Sequence, residues 1–96
     1  MNGVRGEVRA RLAGQERMLC LTLGALAEIE TALGVEGLGG LAERMRALSA
    51  RDLTKVLAAL LRGGGEGAFS DTLADAAIDT REAAEAVAKT FSAAAD

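Results

Sequence analysis

Residues 19–34 have the sequence LCLTLGALAEIETALG, in which a strand pattern changes to a helix pattern without a linker. Leucines at every second position from 19 to 23 predict the apolar face of a half-buried β-strand. The apolar spacing then becomes i, i+3, i+7 at Leu26, Ile29 and Leu33, typical of an amphipathic helix. Thr22 or Gly24 is expected to cap its start, and the glycine at 34 to end it. The rest of the chain must cover this helix.

Before this stretch, apolar and charged residues alternate over residues 4–12, which predicts a second strand. The polar, glycine-containing segment 13–16 is typical of a hairpin loop. We therefore expect a β-hairpin over residues 4–23, with helices packed on its apolar face. That face holds Val8, Leu12, Leu19, Leu21 and Leu23. The opposite face holds Arg5, Arg9 and Arg11, with Met18 and Cys20.

After the hairpin, helical patterns alternate with glycine clusters. Ser49 with Asp52, and Asp79 with Glu82, resemble capping boxes at two helix starts, and Ser70 is a candidate cap for a short helix. The expected helices span about 24–33, 38–48, 50–62, 71–78 and 80–94. The glycine-rich run 63–67 is interpreted as a flexible linker. The predicted fold class is α+β: one domain, residues 1–96, with an N-terminal two-stranded β-hairpin packed against four to five short α-helices.

The same periodicities predict a shared core. Its expected members are Leu21, Leu23, Leu26, Leu33, Leu53, Val56, Leu57, Leu60 and Phe91. On the last helix, the side chains expected to point inward are Ala84, Val87, Ala88 and Phe91. With two aromatic residues and much Ala and Leu, such a core favours closely packed helices.

Composition limits the chemistry that the chain can perform. There is no histidine, and the single cysteine, Cys20, has no base to activate it, so a structural thiol is expected instead of a nucleophile. Asp71, Asp75 and Asp79 recur every four residues, but without the spacing of a calcium loop they indicate a solvated face. The glycine run 63–67 lacks the lysine of a phosphate-binding loop. We expect no enzyme activity, no metal and no cofactor.

Charge and hydropathy bear on location and partners. The net charge is −3, with a basic N-terminal segment and an acidic C-terminal third, and no exposed aromatic is expected for base stacking, which disfavours nucleic acid. No apolar run is long enough for a membrane span, and no targeting segment is evident. These features predict a cytoplasmic protein. The arginine face of the hairpin is interpreted as solvated or as a surface for an acidic partner.

Several short segments occur in the order and spacing of a known family. They are RGEV (5–8), LTLGALAEIE (21–30), LGV (33–35), LSARDL (48–53) and LRGG (61–64). Together they resemble the gene transfer agent branch of the phage-like tail assembly chaperones, whose members are also labelled tail tube proteins. The resemblance covers roughly residues 5–67, whereas residues 68–96 match only in character.

The resemblance implies a non-enzymatic tail assembly chaperone that binds the tape measure protein, aids tail tube assembly and self-associates. The candidate groove is a short, glycine-flanked helix with an adaptable methionine, although ordinary core packing explains it equally well. Its residues are Leu38, Leu41, Met45 and Leu48. Two alternatives remain: a structural tail tube or connector component, located in the tail of the particle, and a small helical adaptor or regulator unrelated to phage.

Overall fold

The described part of the chain folds into a two-stranded antiparallel hairpin followed by five α-helices and one 3-10 helix. A computed structural model describes residues 6–95, apart from the side chain of Leu38. The strands are β1 (Glu7–Leu12) and β2 (Gln15–Cys20). The helices are α1 (Leu23–Leu33), α2 (Gly37–Met45), α3 (Ala50–Gly63), α4 (Gly67–Ser70), the 3-10 helix (Leu73–Asp75) and α5 (Thr80–Ala95). The predicted α+β class is confirmed; the start of the hairpin expected at residues 4 and 5 lies outside the described residues.

The hairpin turns through two residues, fewer than the sequence suggested. Leu12 pairs with Gln15, and the residues between them, Ala13 and Gly14, have φ angles of 53° and 82°. Positive φ at both central positions is the backbone of the tight turn that matches strand twist. Further along the ladder, Val8 faces Leu19. The predicted hairpin is therefore correct, and residues 15 and 16 belong to the second strand.

The junction between β2 and α1 corrects one core assignment. The strand ends at Cys20, and the Thr22 hydroxyl accepts a hydrogen bond from Ala25 N at 3.0 Å, which caps the helix as expected. Leu23 is consequently the first helical residue and not the last strand residue, and it is 86% exposed. Its predicted place in the core is wrong because the alternation of the strand stops three residues earlier. At the other end, α1 ends at Gly34 with φ 69°, as predicted.

Helix α3 is the hub of the packing, since it contacts α1, α4, α5, the 3-10 helix and β2. The Ser49 hydroxyl caps it by accepting from Asp52 N at 3.1 Å. Of the predicted core, Leu33, Val56, Leu57 and Leu60 are buried. Leu21, Leu26, Leu53 and Phe91 are partly buried against them. The buried set also includes Leu12, Leu19, Ile29, Leu41 and Leu61.

The glycines at the end of α3 are packed against β2, so the flexible linker predicted for residues 63–67 is wrong at its start. A Cβ added to Gly63 would lie 2.2 Å from the carbonyl oxygen of Cys20, and one added to Gly64 would lie 2.1 Å from that of Met18. Only glycine permits so close an approach of two backbones. The segment is also tied by Glu66, whose carboxylate accepts from Met18 N at 3.0 Å.

Glu66 belongs to a small polar cluster that fixes the same segment to β2. The Arg17 guanidinium lies 3.3 Å from the Glu66 carboxylate, and 4.0 Å from the centre of the Phe69 ring. It thus combines an ion pair with a cation–π contact. Because these partners come from the loop and from α4, the cluster holds both against the hairpin.

No single helix forms over residues 71–78, contrary to the prediction. The Ser70 hydroxyl is buried at the end of α4, where it accepts from Arg62 at 2.8 Å and donates to the Ala58 carbonyl oxygen at 3.1 Å, and so cannot cap a following helix. The next apolar residues that reach the core, Leu73 and Ile78, are five positions apart, which does not match a helical period. A turn of 3-10 helix and an extended segment replace the helix.

Helix α5 begins as predicted but presents a different face to the core. The Asp79 carboxylate accepts from Arg81 N at 2.8 Å at its start. Ala84 and Ala88 are exposed, and the buried residues are Ala83, Ala86, Val87 and Thr90. The buried Thr90 hydroxyl is satisfied because it donates to the Ala86 carbonyl oxygen at 2.7 Å. The helix packs closely on the hairpin, because a Cβ added to Gly6 would lie 3.2 Å from the Ala94 Cβ.

Truncation of Leu57 should destabilise the fold strongly. Leu57 is 3% exposed and lies in the centre of α3, so Leu57→Ala should lower the free energy of unfolding by about 2–5 kcal/mol, as truncations in cores do. The matched control is Leu23→Ala, which removes the same atoms from an exposed site and should cost less than about 0.5 kcal/mol. Urea denaturation followed by circular dichroism measures both values. Similar losses for the two variants would contradict the burial described above.

Alanine at Gly64 should be far more costly than alanine at another helical glycine. The added methyl group in Gly64→Ala collides with the backbone of β2, and overpacking of this kind costs about 1–3 kcal/mol or more. Gly39→Ala is the control: it lies within α2 with no neighbouring atom within 4 Å, so it should stabilise the helix by about 0.5–1 kcal/mol. Opposite signs of the two shifts in melting temperature are expected. A neutral Gly64→Ala would show that α3 does not press on the strand.

Candidate partner-binding surface

The residues predicted to form a groove on α2 differ in how deeply they are buried. Leu41 is 2% exposed and belongs to the core, while Met45 and Leu48 are half-buried against it. The side chain of Leu38 lies outside the described part of the chain. Of the three described residues, Leu41 is therefore core, and only Met45 and Leu48 are partly open to a partner. Leu41 and Met45 instead contribute to a cleft that is completed by another helix.

That cleft lies between α2 and α5 and has a volume of about 370 Å³. Leu41, Ala42 and Met45 line one side, and Ala88 and Phe91 of α5 line the other. All five side chains are uncharged. An open apolar cleft of this kind suits a hydrophobic side chain or helix from a partner.

A second apolar cleft of about 360 Å³ is also lined by Phe91. Its walls come from the β2–α1 junction, with Leu21, Leu23 and Leu26, and from the last turns of α5. Leu23, the exposed first residue of α1, stands at its rim. Across the described residues, Leu23 is the large apolar side chain that is most open to solvent.

The two clefts lie side by side along α5 and share the Phe91 ring. Ala88, Phe91 and Ala95 are spaced i, i+3 and i+7, so they occupy one face of the helix and extend from the first cleft to the second. We call this region the Phe91 surface; it comprises Leu21, Leu23, Leu26, Leu41, Ala42, Met45, Ala88, Phe91, Ala94 and Ala95. The α5 part of this surface was not predicted from the sequence, because the helical spacing of Ala88 and Phe91 indicated that both face the core. The helical spacing of Ala88, Phe91 and Ala95 can be read from the sequence.

Polar contacts hold α2 in place beside this surface. The Glu30 carboxylate accepts from Gly37 N at 2.7 Å at the start of α2, and near its end Arg44 pairs with Asp52 of α3. Leu41 anchors the middle of the helix in the core. Apart from α1, α2 has little contact with other elements of the described chain. The helix is thus held at a few points and leaves one wall of the cleft open.

The residues considered for catalysis and metal binding are not assembled into a site. Cys20 is fully buried, and its desolvation raises the pKa of the thiol, which the nearby Glu7 carboxylate raises further. A thiol with a raised pKa is a poor nucleophile. Asp71 follows the end of α4, Asp75 lies in the 3-10 helix and Asp79 precedes α5, so the three do not share one helix. Within residues 6–95, no three acidic or cysteine side chains cluster as metal ligands.

The remaining expectations on partners concern the hairpin and membranes. Arg9 and Arg11 are exposed on β1, as predicted for the arginine face, whereas Arg5 lies outside the described residues. None of the helices described is both long and apolar enough to span a membrane. Among the described residues, the Phe91 surface is therefore the candidate for partner binding.

Comparison with known proteins identifies a family. The model of a family described as "Phage tail tube protein, GTA-gp10" matches residues 5–96. The match includes the C-terminal third, which by sequence resemblance agreed only in character. No similar protein was found among curated proteins, and no similar structure among solved structures.

Because the Cys20 thiol is buried, the free energy of unfolding should fall as the pH becomes alkaline. Because the folded pKa of Cys20 is raised, the native thiol stays protonated at a pH where the unfolded one ionises. The contribution of the buried thiol to the free energy of unfolding is complete below the pKa of an unfolded cysteine, about 8.5, and is lost as the pH rises beyond that value. The wild type should therefore lose stability relative to Cys20→Ala between about pH 7 and 10, so that the difference between their free energies of unfolding becomes smaller. Urea titrations of both proteins measure it; an excess that grows with pH would contradict the raised pKa.

Proposed function

The chain belongs to the family of the phage tail tube protein GTA-gp10, and from this we propose that it is a structural component of the tail of a gene transfer agent particle. In this role it is a tube or connector subunit that acts by binding other tail proteins and not by catalysis. The observation that carries the proposal is the family match over residues 5–96. The description of the family names a tail tube protein, which favours the structural alternative over the chaperone that the resemblance first implied.

The chemistry of the chain supports a binding role. There is no histidine in the sequence, and the buried Cys20 has a raised pKa, so the usual nucleophile–base pair is missing. The Phe91 surface, in contrast, offers two apolar clefts with uncharged walls. Apolar patches rimmed by polar residues are typical of protein–protein contacts. A subunit of a tail requires such contacts and no active site.

The chaperone role remains a second candidate because of one feature of the fold. Helix α2 begins at Gly37, is held at only a few points and includes Met45 at the edge of its cleft. A loosely held wall with a methionine can adjust to different apolar helices. In that role the cleft, with Leu41 and Met45 in it, would hold an apolar helix of the tape measure protein during assembly, and the protein would then leave the particle.

Mass spectrometry of purified particles tests the proposed role. A structural component should be present in stoichiometric amounts relative to other tail proteins, whereas an assembly chaperone should be found in the producing cells and be missing from finished particles. Absence from particles would overturn the structural proposal and leave the chaperone as the remaining candidate.

Variants of the cleft add a second measurement in the same assay. Leu41 is unsuitable because it is core, so the cleft is disrupted at its partly exposed residues, with Ala42→Asp and Met45→Asp combined. This protein should fold but be depleted from particles. The control, Ala74→Asp with Ala77→Asp, adds the same charge at exposed sites outside both clefts and should be incorporated normally. Equal incorporation of the two folded variants would exclude this cleft from tail assembly.

A further inference from the structure

The outer edge of β1 is a row of unpaired backbone groups. The two-residue turn makes Leu12 and Gln15 a hydrogen-bonded pair, and bonded and non-bonded pairs alternate from there along an antiparallel ladder. Arg11, Arg9 and Glu7 therefore belong to the non-bonded pairs, and their N–H and C=O groups point away from β2. Within residues 6–95, these groups have no hydrogen-bond partner.

The corresponding edge of β2, in contrast, is closed. Met18, which faces Arg9 in the ladder, also points its N–H outward, and this group donates to the Glu66 carboxylate at 3.0 Å. The C-terminal turn of α3 lies against the outward carbonyl oxygens of Met18 and Cys20. The hairpin therefore has one blocked edge and one edge with its hydrogen-bonding groups unused.

Helix α5 leaves the outer edge of β1 open. Among the helices, α5 makes the main contact with β1, and it also contacts β2, so it crosses a face of the hairpin and does not run along its edge. Arg9 and Arg11 are exposed on one face, so α5 lies on the other, where Leu12 is buried. An edge of this kind can pair with an extended segment of another chain.

The side chains beside the open edge specify the segment that fits. Arg9 and Arg11 form no ion pair within residues 6–95, and this includes Glu16, which faces Arg11 across the hairpin. On the other face, Val8 and Ala10 are half-buried, so each presents some apolar surface next to the edge. A segment in which acidic residues alternate with apolar ones matches both faces of β1.

We propose that β1 binds an acidic extended segment of another protein, which adds to the hairpin as an antiparallel third strand. The inference rests on the proposed function only for the class of partner, another protein of the tail. Two acidic side chains of the segment lie opposite Arg9 and Arg11, where opposite charges are favourable. A second copy of this edge is the wrong occupant, because it would bring arginines against arginines. A third strand also relieves the marginal stability of a two-stranded ribbon.

Titration with a synthetic peptide tests the charge of the segment. The probe is a fluorescently labelled peptide of sequence TVEVEVT, and its binding to the isolated protein is followed by fluorescence anisotropy. The control peptide TVKVKVT has the same apolar residues and should bind about tenfold more weakly or worse. No binding of the acidic peptide at about 1 mM, or equal affinity for the two peptides, would overturn the proposal.

Backbone methylation separates strand pairing from simple attraction of charges. In the antiparallel arrangement, the N–H groups of the two glutamates point to β1, and that of the central valine points away. Methylation of one glutamate nitrogen should weaken binding about tenfold, because a backbone hydrogen bond is lost and the methyl group separates the strands. Methylation of the central valine nitrogen is the matched control and should leave the affinity unchanged. Equal effects of the two methyl groups would contradict the antiparallel strand.

Charge reversal on β1 locates the site on the protein. Arg9→Glu combined with Arg11→Glu should weaken binding of the acidic peptide about tenfold or more and strengthen that of the lysine peptide. Both residues are exposed, so the variant should fold, as circular dichroism checks. The control, Arg46→Glu with Arg51→Glu, makes the same change of charge at exposed sites outside the hairpin and should bind as the wild type does. Equal losses in the two folded variants would place the peptide elsewhere.

The outcomes separate this inference from the proposed function, since the peptide measurements do not depend on the particle. If the acidic peptide does not bind and the chain is present in purified particles, the edge inference fails and the tail role stands. If the peptide binds as described and the chain is absent from particles, the structural role fails, and the edge serves a protein that acts before the particle is complete.

Discussion

The C-terminal turn of α3 lies directly on the backbone of β2, and the rest of the structure depends on that contact. Gly63 and Gly64 bring the helix so close to the carbonyl oxygens of Cys20 and Met18 that no side chain fits between them. A two-stranded hairpin is marginal in water, so it needs such a cover. Because α3 also contacts α1, α4 and α5, the contact joins the hairpin to the whole helical part. The ion pair of Arg17 with Glu66 then fixes the loop that follows.

The position of α3 determines which faces of the other helices remain open. Helix α5 crosses the hairpin on its small residues, with Ala94 against Gly6, and this close packing turns Phe91 to the side. Helix α1 starts immediately after β2, which leaves Leu23 in solvent. The Phe91 surface is thus a consequence of how tightly the helices sit on the strands. For a member of a tail protein family, apolar area left in this way is the expected place for a neighbouring subunit.

Features with a local cause could be predicted from the sequence, and features set by packing could not. The Thr22 and Ser49 caps and the left-handed Gly34 each depend on neighbouring residues, and all three are found. The alternation of burial is found along residues 8–12 of β1 but not along β2, where Leu19 and Cys20 are both buried. Ala84 and Ala88 were assigned to the core because their spacing fits a helix, but the adjacent alanines fit it as well. The packing of α5 against both the hairpin and α3 selects between them. Leu23 fits both the alternation of the strand and the first turn of the helix. The Thr22 cap makes it the first residue of the helix.

The candidate site shows the same division. The sequence indicates α2 as a candidate binding helix because of its glycines and its methionine. The second wall of its cleft, on α5, comes from residues more than forty positions away in the printed sequence. No local pattern connects Met45 with Ala88. The glycines at 63 and 64 were predicted to be flexible because they are clustered in the sequence. In the structure they lie against the carbonyl oxygens of β2, which leave no room for a larger residue.

The contact between Gly6 and Ala94 brings the two ends of the described chain together on the same side of the hairpin. In an engineered chain that spans only the described residues, a short peptide joining these neighbours would close the chain into a ring, and new ends could be opened elsewhere. The Ala13–Gly14 turn and the position at Gly65, where a side chain would meet no atoms within 4 Å, are exposed places for such an opening. The order in which the elements follow one another along the chain is therefore separable from the arrangement that they adopt in space.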